Sequence, residues 1–149
     1  MDFLLEASQQ QTDMEDSIFS SRILAITDFI KNESCKNKSM EICGFIGYSE
    51  YDKKYIAKIE KNTASDPKNF FSINPIRYLY FKQDFNIIAI FHSHIIGDEM
   101  PSEFDIKMSE NCCVPFMIFS INSNKFYFYE PQNKEYDVKV VSRFKEKIK

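Results

Sequence analysis

Apolar residues recur along this chain with two different spacings, and the changes from one to the other divide it into elements. Phe19, Ile23, Ile26 and Ile30 follow one another at steps of four, three and four, which places them on one face of a helix. Asp16 or Ser17 can cap its start, and the polar run NESCKNKS ends it. Two apolar-rich runs come next, Glu41 to Tyr48 and Tyr55 to Ile59. The polar turn SEYDKK between them predicts a β-hairpin. Beyond the loop NTASDPKN, Pro75 to Phe81 predicts a short helix. Asn74 stands at its N-cap, and Pro75 takes the first helical position, where a missing N–H costs nothing. Asn86 to His92 is an almost unbroken apolar run of strand length, which predicts a central strand covered on both faces.

Ser102 to Cys112 predicts a further helix. Pro115 to Ile121, Lys125 to Tyr129 and Tyr136 to Val141 predict strands, and KEKIK a solvated end. This order predicts an α/β or mixed α+β fold, a central mixed sheet flanked by helices. There is no internal repeat.

The composition bounds this picture. A chain of 149 residues with 44% apolar content fits one globular domain over residues 17–149. The polar, acidic stretch before it is expected as a flexible arm over residues 1–16. A net charge of -3 without a Lys/Arg stripe argues against a nucleic-acid partner. Neither a signal peptide nor a bilayer-spanning apolar run is present, so a cytoplasmic protein with no membrane association is expected. Cys35, Cys43, Cys112 and Cys113 follow no disulfide framework and lack the paired spacing of a four-cysteine zinc site. They are expected as reduced thiols, acting as buried small hydrophobes.

The candidate chemistry lies at the end of the central strand. The chain's two histidines occur as His92-Ser93-His94. Residues two apart on a strand share a face, so both imidazoles converge while Ser93 points away. Neutral imidazole nitrogen is a preferred zinc ligand, but a catalytic zinc site takes three protein ligands and leaves a position for water. Ser102 is placed to cap the next helix, which puts Asp105 in its first turn, as a third ligand or simply as a capping acid. Asp98 and Glu99 lie nearer to His94 in sequence and are rival ligands, less well fixed by the loop around Gly97. Glu41 interrupts an otherwise apolar strand start, where glutamate has no packing value, and is the candidate general acid/base.

Glu41, then His92-Ser93-His94, seven residues, Ser102, two residues and Asp105 follow the pattern E…H-S/T-H-x7-S-x2-D without a gap. In this the chain resembles the JAMM (MPN+) zinc metalloprotease family. The resemblance covers about Ser17 to Val141 and implies a cytidine-deaminase-like sheet flanked by helices. It implies one Zn2+ per chain on His92, His94 and Asp105, with Glu41 acting on the water and Ser102 on the oxyanion or the water. The segments MEICGFIG, NTASDPKNFFSINP and PSEFDIKMSENCCVPFMIFS are similar to the JAMM domain of phage tail assembly proteins. That branch implies a peptidase or isopeptidase acting on a phage tail protein in the host cytoplasm. Two alternatives stand beside it: processing of a ubiquitin-like sulfur-carrier protein, and a non-catalytic MPN-type assembly module. Ile95 follows His94 where relatives often carry proline, a departure that bears on the loop shape. A zinc nucleobase deaminase would need H-x-E with P-C-x-x-C, which Cys112-Cys113 does not supply.

Overall fold

The computed structural model describes the backbone of residues 2–148 and the side chains of residues 17–148. Its elements in chain order are α1 (Asp2–Lys36), β1 (Cys43–Ser49), β2 (Lys54–Glu60), α2 (Pro75–Asp84), β3 (Asn86–His94), α3 (Glu103–Cys112), β4 (Phe116–Ser120), β5 (Lys125–Tyr129) and α4 (Val138–Lys147). The strands form one mixed sheet in the order β2-β1-β3-β4-β5. β3 pairs antiparallel with β1 and parallel with β4, and the outer pairs are antiparallel.

The unbroken apolar run of β3 takes the centre because both its faces are covered. One face packs Ile88 and Phe91 against Ile23, Ile26 and Ile30 of α1 and Val141 and Phe144 of α4. The other packs Ile87 and Ile90 with Cys43, Phe45, Phe81 of α2 and Phe116. The stepped isoleucines of the first helix are therefore buried, as their spacing predicts. Burial of side chains of this size contributes about 1.5–3 kcal/mol each. Asn74 caps α2, its side chain accepting from the Ile76 N–H at 3.1 Å. Parallel pairing of β3 with β4 requires a crossover, and α3 supplies it.

Two expectations differ from the observed elements. The helix expected to be capped at Asp16 or Ser17 runs instead from Asp2, through the segment expected as a flexible arm. Its Leu, Glu, Ala, Gln and Met residues are good helix formers, uninterrupted by glycine or proline. The strand expected over Tyr136 to Val141 is helix α4 instead. Asp137 caps it, its carboxylate accepting from the Val140 N–H at 3.2 Å. Val141, Phe144 and Ile148 fall three and four residues apart and pack on the first face. Three valines suggest a strand, but cap and burial together outweigh that preference. Among the described residues no helix is long and apolar enough to cross a membrane.

Phe144 is wholly buried between α4 and the sheet, so it reports on this helical assignment. Phe144→Ala should cost about 3–5 kcal/mol in urea unfolding with an unchanged slope. A loss below about 1 kcal/mol would mean that the helix does not pack there.

Candidate metal centre and its cleft

The site assembles at the carboxyl end of β3, where the chain leaves the sheet for the α3 crossover. In sheets with parallel crossovers this is where ligands are ordinarily held. Ser93 and Ile42 clamp β3 to the segment before β1. Ser93 N–H donates to the Ile42 carbonyl at 3.0 Å, and Ile42 N–H donates to Ser93 Oγ at 2.9 Å. Ser93 thereby faces away from the histidines, and its hydroxyl is used to hold the strands together. The Cys43–His92 pairing, continued two residues past the end of β1, sets Glu41 across from His94. The Glu41 backbone is held from the other side too. Its N–H donates to the Pro67 carbonyl at 2.7 Å, and its carbonyl accepts from Asn62 Nδ2 at 3.0 Å.

Asp105 enters from the first turn of α3 through a complete capping box. Asp105 N–H donates to Ser102 Oγ, and Ser102 N–H donates to Asp105 Oδ2, both at 3.0 Å. The same carboxylate lies between the two imidazoles, with Oδ1 3.1 Å from His92 Nε2 and Oδ2 3.0 Å from His94 Nε2. The donor atoms of His92, His94 and Asp105 all fall within 4.8 Å of one another. The expected capping acid and the expected ligand are thus one residue in both roles.

Two details show that this group fits a cation. His94 Nδ1 lies 2.8 Å from the Asp98 carbonyl oxygen, which can only accept, so Nδ1 carries the proton. In the neutral ring Nε2 then turns a lone pair toward a carboxylate oxygen, an arrangement that calls for a proton or a metal ion between them. His92 is wholly buried, and its Nε2 lies 3.1 Å from Asp105 Oδ1 without forming a hydrogen bond to it. Both its ring nitrogens are without a hydrogen-bond partner, a costly state for a buried polar group unless it has another use. These residues could bind a metal ion.

Charge states follow the same geometry. Burial pulls His92 below its ordinary pKa and keeps it neutral, against the attraction of Asp105. Burial also acts downward on His94, but Asp105 and the Asp98 carbonyl more than offset it, and the result is raised. For Asp105 burial alone would push upward, yet the two imidazoles and the Ser102 N–H hold its carboxyl well below the usual range. Glu41, only 5% exposed, is pushed by burial up to about 8, with His94 opposing and Asp105 and Asp66 reinforcing the shift.

Glu41, His94, Ser102 and Asp105 line one cleft of about 130 Å³. Lys68, Asn69 and Ile96 complete it, three residues that the spacing arguments did not single out. Also missed was Phe71, whose ring stacks on His92 with centroids 4.4 Å apart. Asn62 was missed as well, though its side chain organises the loop beside the cleft. It accepts from the Ala64 and Ser72 N–H groups and donates to the Glu41, Pro67 and Phe70 carbonyls. An asparagine ahead of a proline-containing loop was the available signal. A larger cleft of about 440 Å³, bordered by α1, α4 and the β1–β2 turn, holds none of the candidate chemistry.

The rival ligands are engaged elsewhere. The Asp98 carboxylate accepts from Met100 N–H, and Glu99 accepts from Ser123 Oγ. Of the cysteines, only Cys43 is the buried small hydrophobe expected. Its thiol donates to the Glu60 carbonyl, and burial pushes it up to about 12. Cys35 and Cys112 are exposed and Cys113 half-buried, because they lie at the ends of α1 and α3, where the helices leave the core. All four are free thiols.

No protein-family model matches the chain, and no curated protein matches it either. Among solved structures, the solution structure of protein DSY2949 from Desulfitobacterium hafniense is similar, with 19% sequence identity and a TM-score of 0.50. The likeness covers 72% of this chain and 77% of that one. At this identity it bears on the fold alone. Fold and site together define a mixed α+β protein with a candidate metal centre at the end of its central strand.

Glu41 gives a linkage prediction for the metal-free protein. Its folded-state value of about 8 lies above the ordinary 4.5, so the folded form holds a proton that the unfolded form releases. The stability this contributes is complete below about pH 4.5 and is lost as pH rises through about 8. Urea unfolding in chelator should show Glu41→Gln gaining roughly 2–4 kcal/mol over the unsubstituted chain at pH 8 and little at pH 5. Equal stabilities at pH 8 would mean that Glu41 is not desolvated.

Proposed function

We propose that this chain is a zinc-dependent peptidase or isopeptidase of the JAMM (MPN+) type, acting on a protein substrate in phage tail assembly. One observation carries the reading. A buried carboxylate, Glu41, shares a small cleft with an Asp105 carboxylate set between two imidazoles, and the two acids are driven to opposite protonation behaviour. Divergent environments of this kind separate an acid/base from a ligand.

His92, His94 and Asp105 would hold the ion, and two imidazole nitrogens with one carboxylate oxygen suit zinc best among common divalent ions. Zinc bound there would polarise the scissile carbonyl and lower the pKa of a water molecule toward neutrality. The remaining work falls to side chains of this protein. Glu41 would take the proton from the water and return it to the leaving amine, and burial raises its proton affinity above that of an ordinary glutamate. Ser102 Oγ accepts from Asp105 N–H, which leaves its own O–H to donate to the oxyanion developing on the substrate. The capping box fixes that hydroxyl beside the ligand, so orientation is set before substrate arrives. Phe71 stacked on His92 limits how far the ring can turn and shields it from solvent.

Single-turnover cleavage of a ubiquitin-like or tail-protein substrate, with zinc analysis of the same preparation, tests this assignment. Glu41→Gln keeps the side chain's size but cannot take the proton. Zinc content should stay near that of the unsubstituted protein while turnover falls by on the order of 10² to 10⁴. Comparable turnover in a zinc-bound Glu41→Gln protein would remove Glu41 from the chemistry.

A further inference from the structure

The loop that lines the candidate cleft with Lys68 and Asn69 has a second side. There, Thr63, Asp66, Phe70 and Phe71 form an open groove of about 450 Å³, bordered by Phe104 from the first turn of α3. Phe70 is 44% exposed and Phe104 43%, and their rings meet edge to face at 5.3 Å. Scattered exposed apolar residues are ordinary on a protein surface. Two phenylalanines converging on one concavity leave aromatic faces in water where a partner can cover them.

The position of the groove ties it to the cleft. Phe71 forms part of its lining and stacks on His92, Phe104 immediately precedes Asp105, and the loop of residues 66–71 walls both cavities. The lining also selects a kind of occupant. Asp66 is its only charged residue, and the Asp66 carboxylate accepts from Asn69 Nδ2 at 3.0 Å while its backbone carbonyl accepts from the Phe70 N–H. Asp66 is thus held to its own loop, and the exposed aromatic faces of Phe70 and Phe104 suit an apolar side chain.

We propose that this groove is a specificity subsite that receives a large apolar side chain, such as leucine, methionine or phenylalanine, from the polypeptide being cleaved. It rests on the peptidase reading of the adjoining cleft. Phe70 and Phe104 are the residues that set the preference, through apolar contact with that side chain.

The zinc-loaded full chain would be incubated with a degenerate library of capped peptides, and the cut sites read by mass spectrometry. Backbone amide shifts would be followed in parallel while a capped phenylalanine peptide, or its alanine counterpart, is titrated in. Cuts should carry a large apolar residue at one fixed position from the scissile bond. Amides of residues 63–72 and 103–106 should move with the phenylalanine peptide and not with the alanine one. Phe70→Ala and Phe104→Ala, being changes at exposed positions, should leave zinc content and folding intact. They should reduce kcat/KM for apolar over alanine-bearing peptides by about 10-fold or more.

Cleavage without an apolar preference, or a preference that both variants retain, overturns the subsite and leaves the peptidase reading standing. Amide shifts in a zinc-bound protein that cuts nothing would make the groove a peptide-binding surface, overturning its role as a substrate subsite together with that reading. Neither shifts nor cleavage would overturn both.

Discussion

The Asp105 carboxylate is the constraint on which the rest of the site depends. One oxygen accepts the Ser102 N–H that closes the capping box, and the pair of oxygens spans the gap between two imidazole nitrogens. The start of α3 and the end of β3 are therefore fastened to each other through a single side chain. A carboxylate in so small a space keeps its charge because its neighbours favour it, notably the Ser102 N–H at the helix start and the His94 imidazole, whose own pKa is raised by the contact. Moving α3 by part of a turn would undo the helix cap and the donor cluster together.

The sheet divides its work between its faces. The face under α1 and α4 buries a continuous apolar cluster, and stability comes chiefly from there. The face under α2 and α3 carries aromatic packing up to the edge of the site, where Phe71 and Phe116 flank His92. On that second face the protein tolerates arrangements that cost stability. His92 keeps two unpartnered ring nitrogens, and Glu41 is desolvated far enough to prefer its proton. Such costs, gathered at one place on a fold that is otherwise locally consistent, mark that place as the candidate site.

Much of this could be read from the chain alone. The spacing of Ile23, Ile26 and Ile30, the Asn74-Pro75 helix start and the two-sided apolar run before His92 each carry a local physical cause, and each element stands where that cause puts it. The convergence of His92, His94 and Asp105 was legible because a strand period of two and a capping box each fix direction within a few residues. Other features were not legible. Helix α4 was hidden because Val138, Val140 and Val141 favour strands, and only the tertiary fit of Val141 and Phe144 decides the matter. Lys68 and Asn69 reach the cleft, and Phe71 reaches His92, through a loop whose course is set by Asn62, which hydrogen-bonds to residues from Glu41 to Ser72. Contacts across that many residues leave no period in the sequence.

On the proposed function, His92, His94 and Asp105 would together hold one zinc ion beside Glu41. X-ray diffraction on crystals grown with zinc, with anomalous data collected on either side of the zinc absorption edge, tests it most directly. One peak per chain should appear, about 2.0–2.2 Å from an imidazole nitrogen of His92, one of His94 and an Asp105 carboxylate oxygen, on the side that faces Glu41. A zinc peak held by other residues, or crystals from zinc-containing solution with no peak between these three side chains, would contradict it.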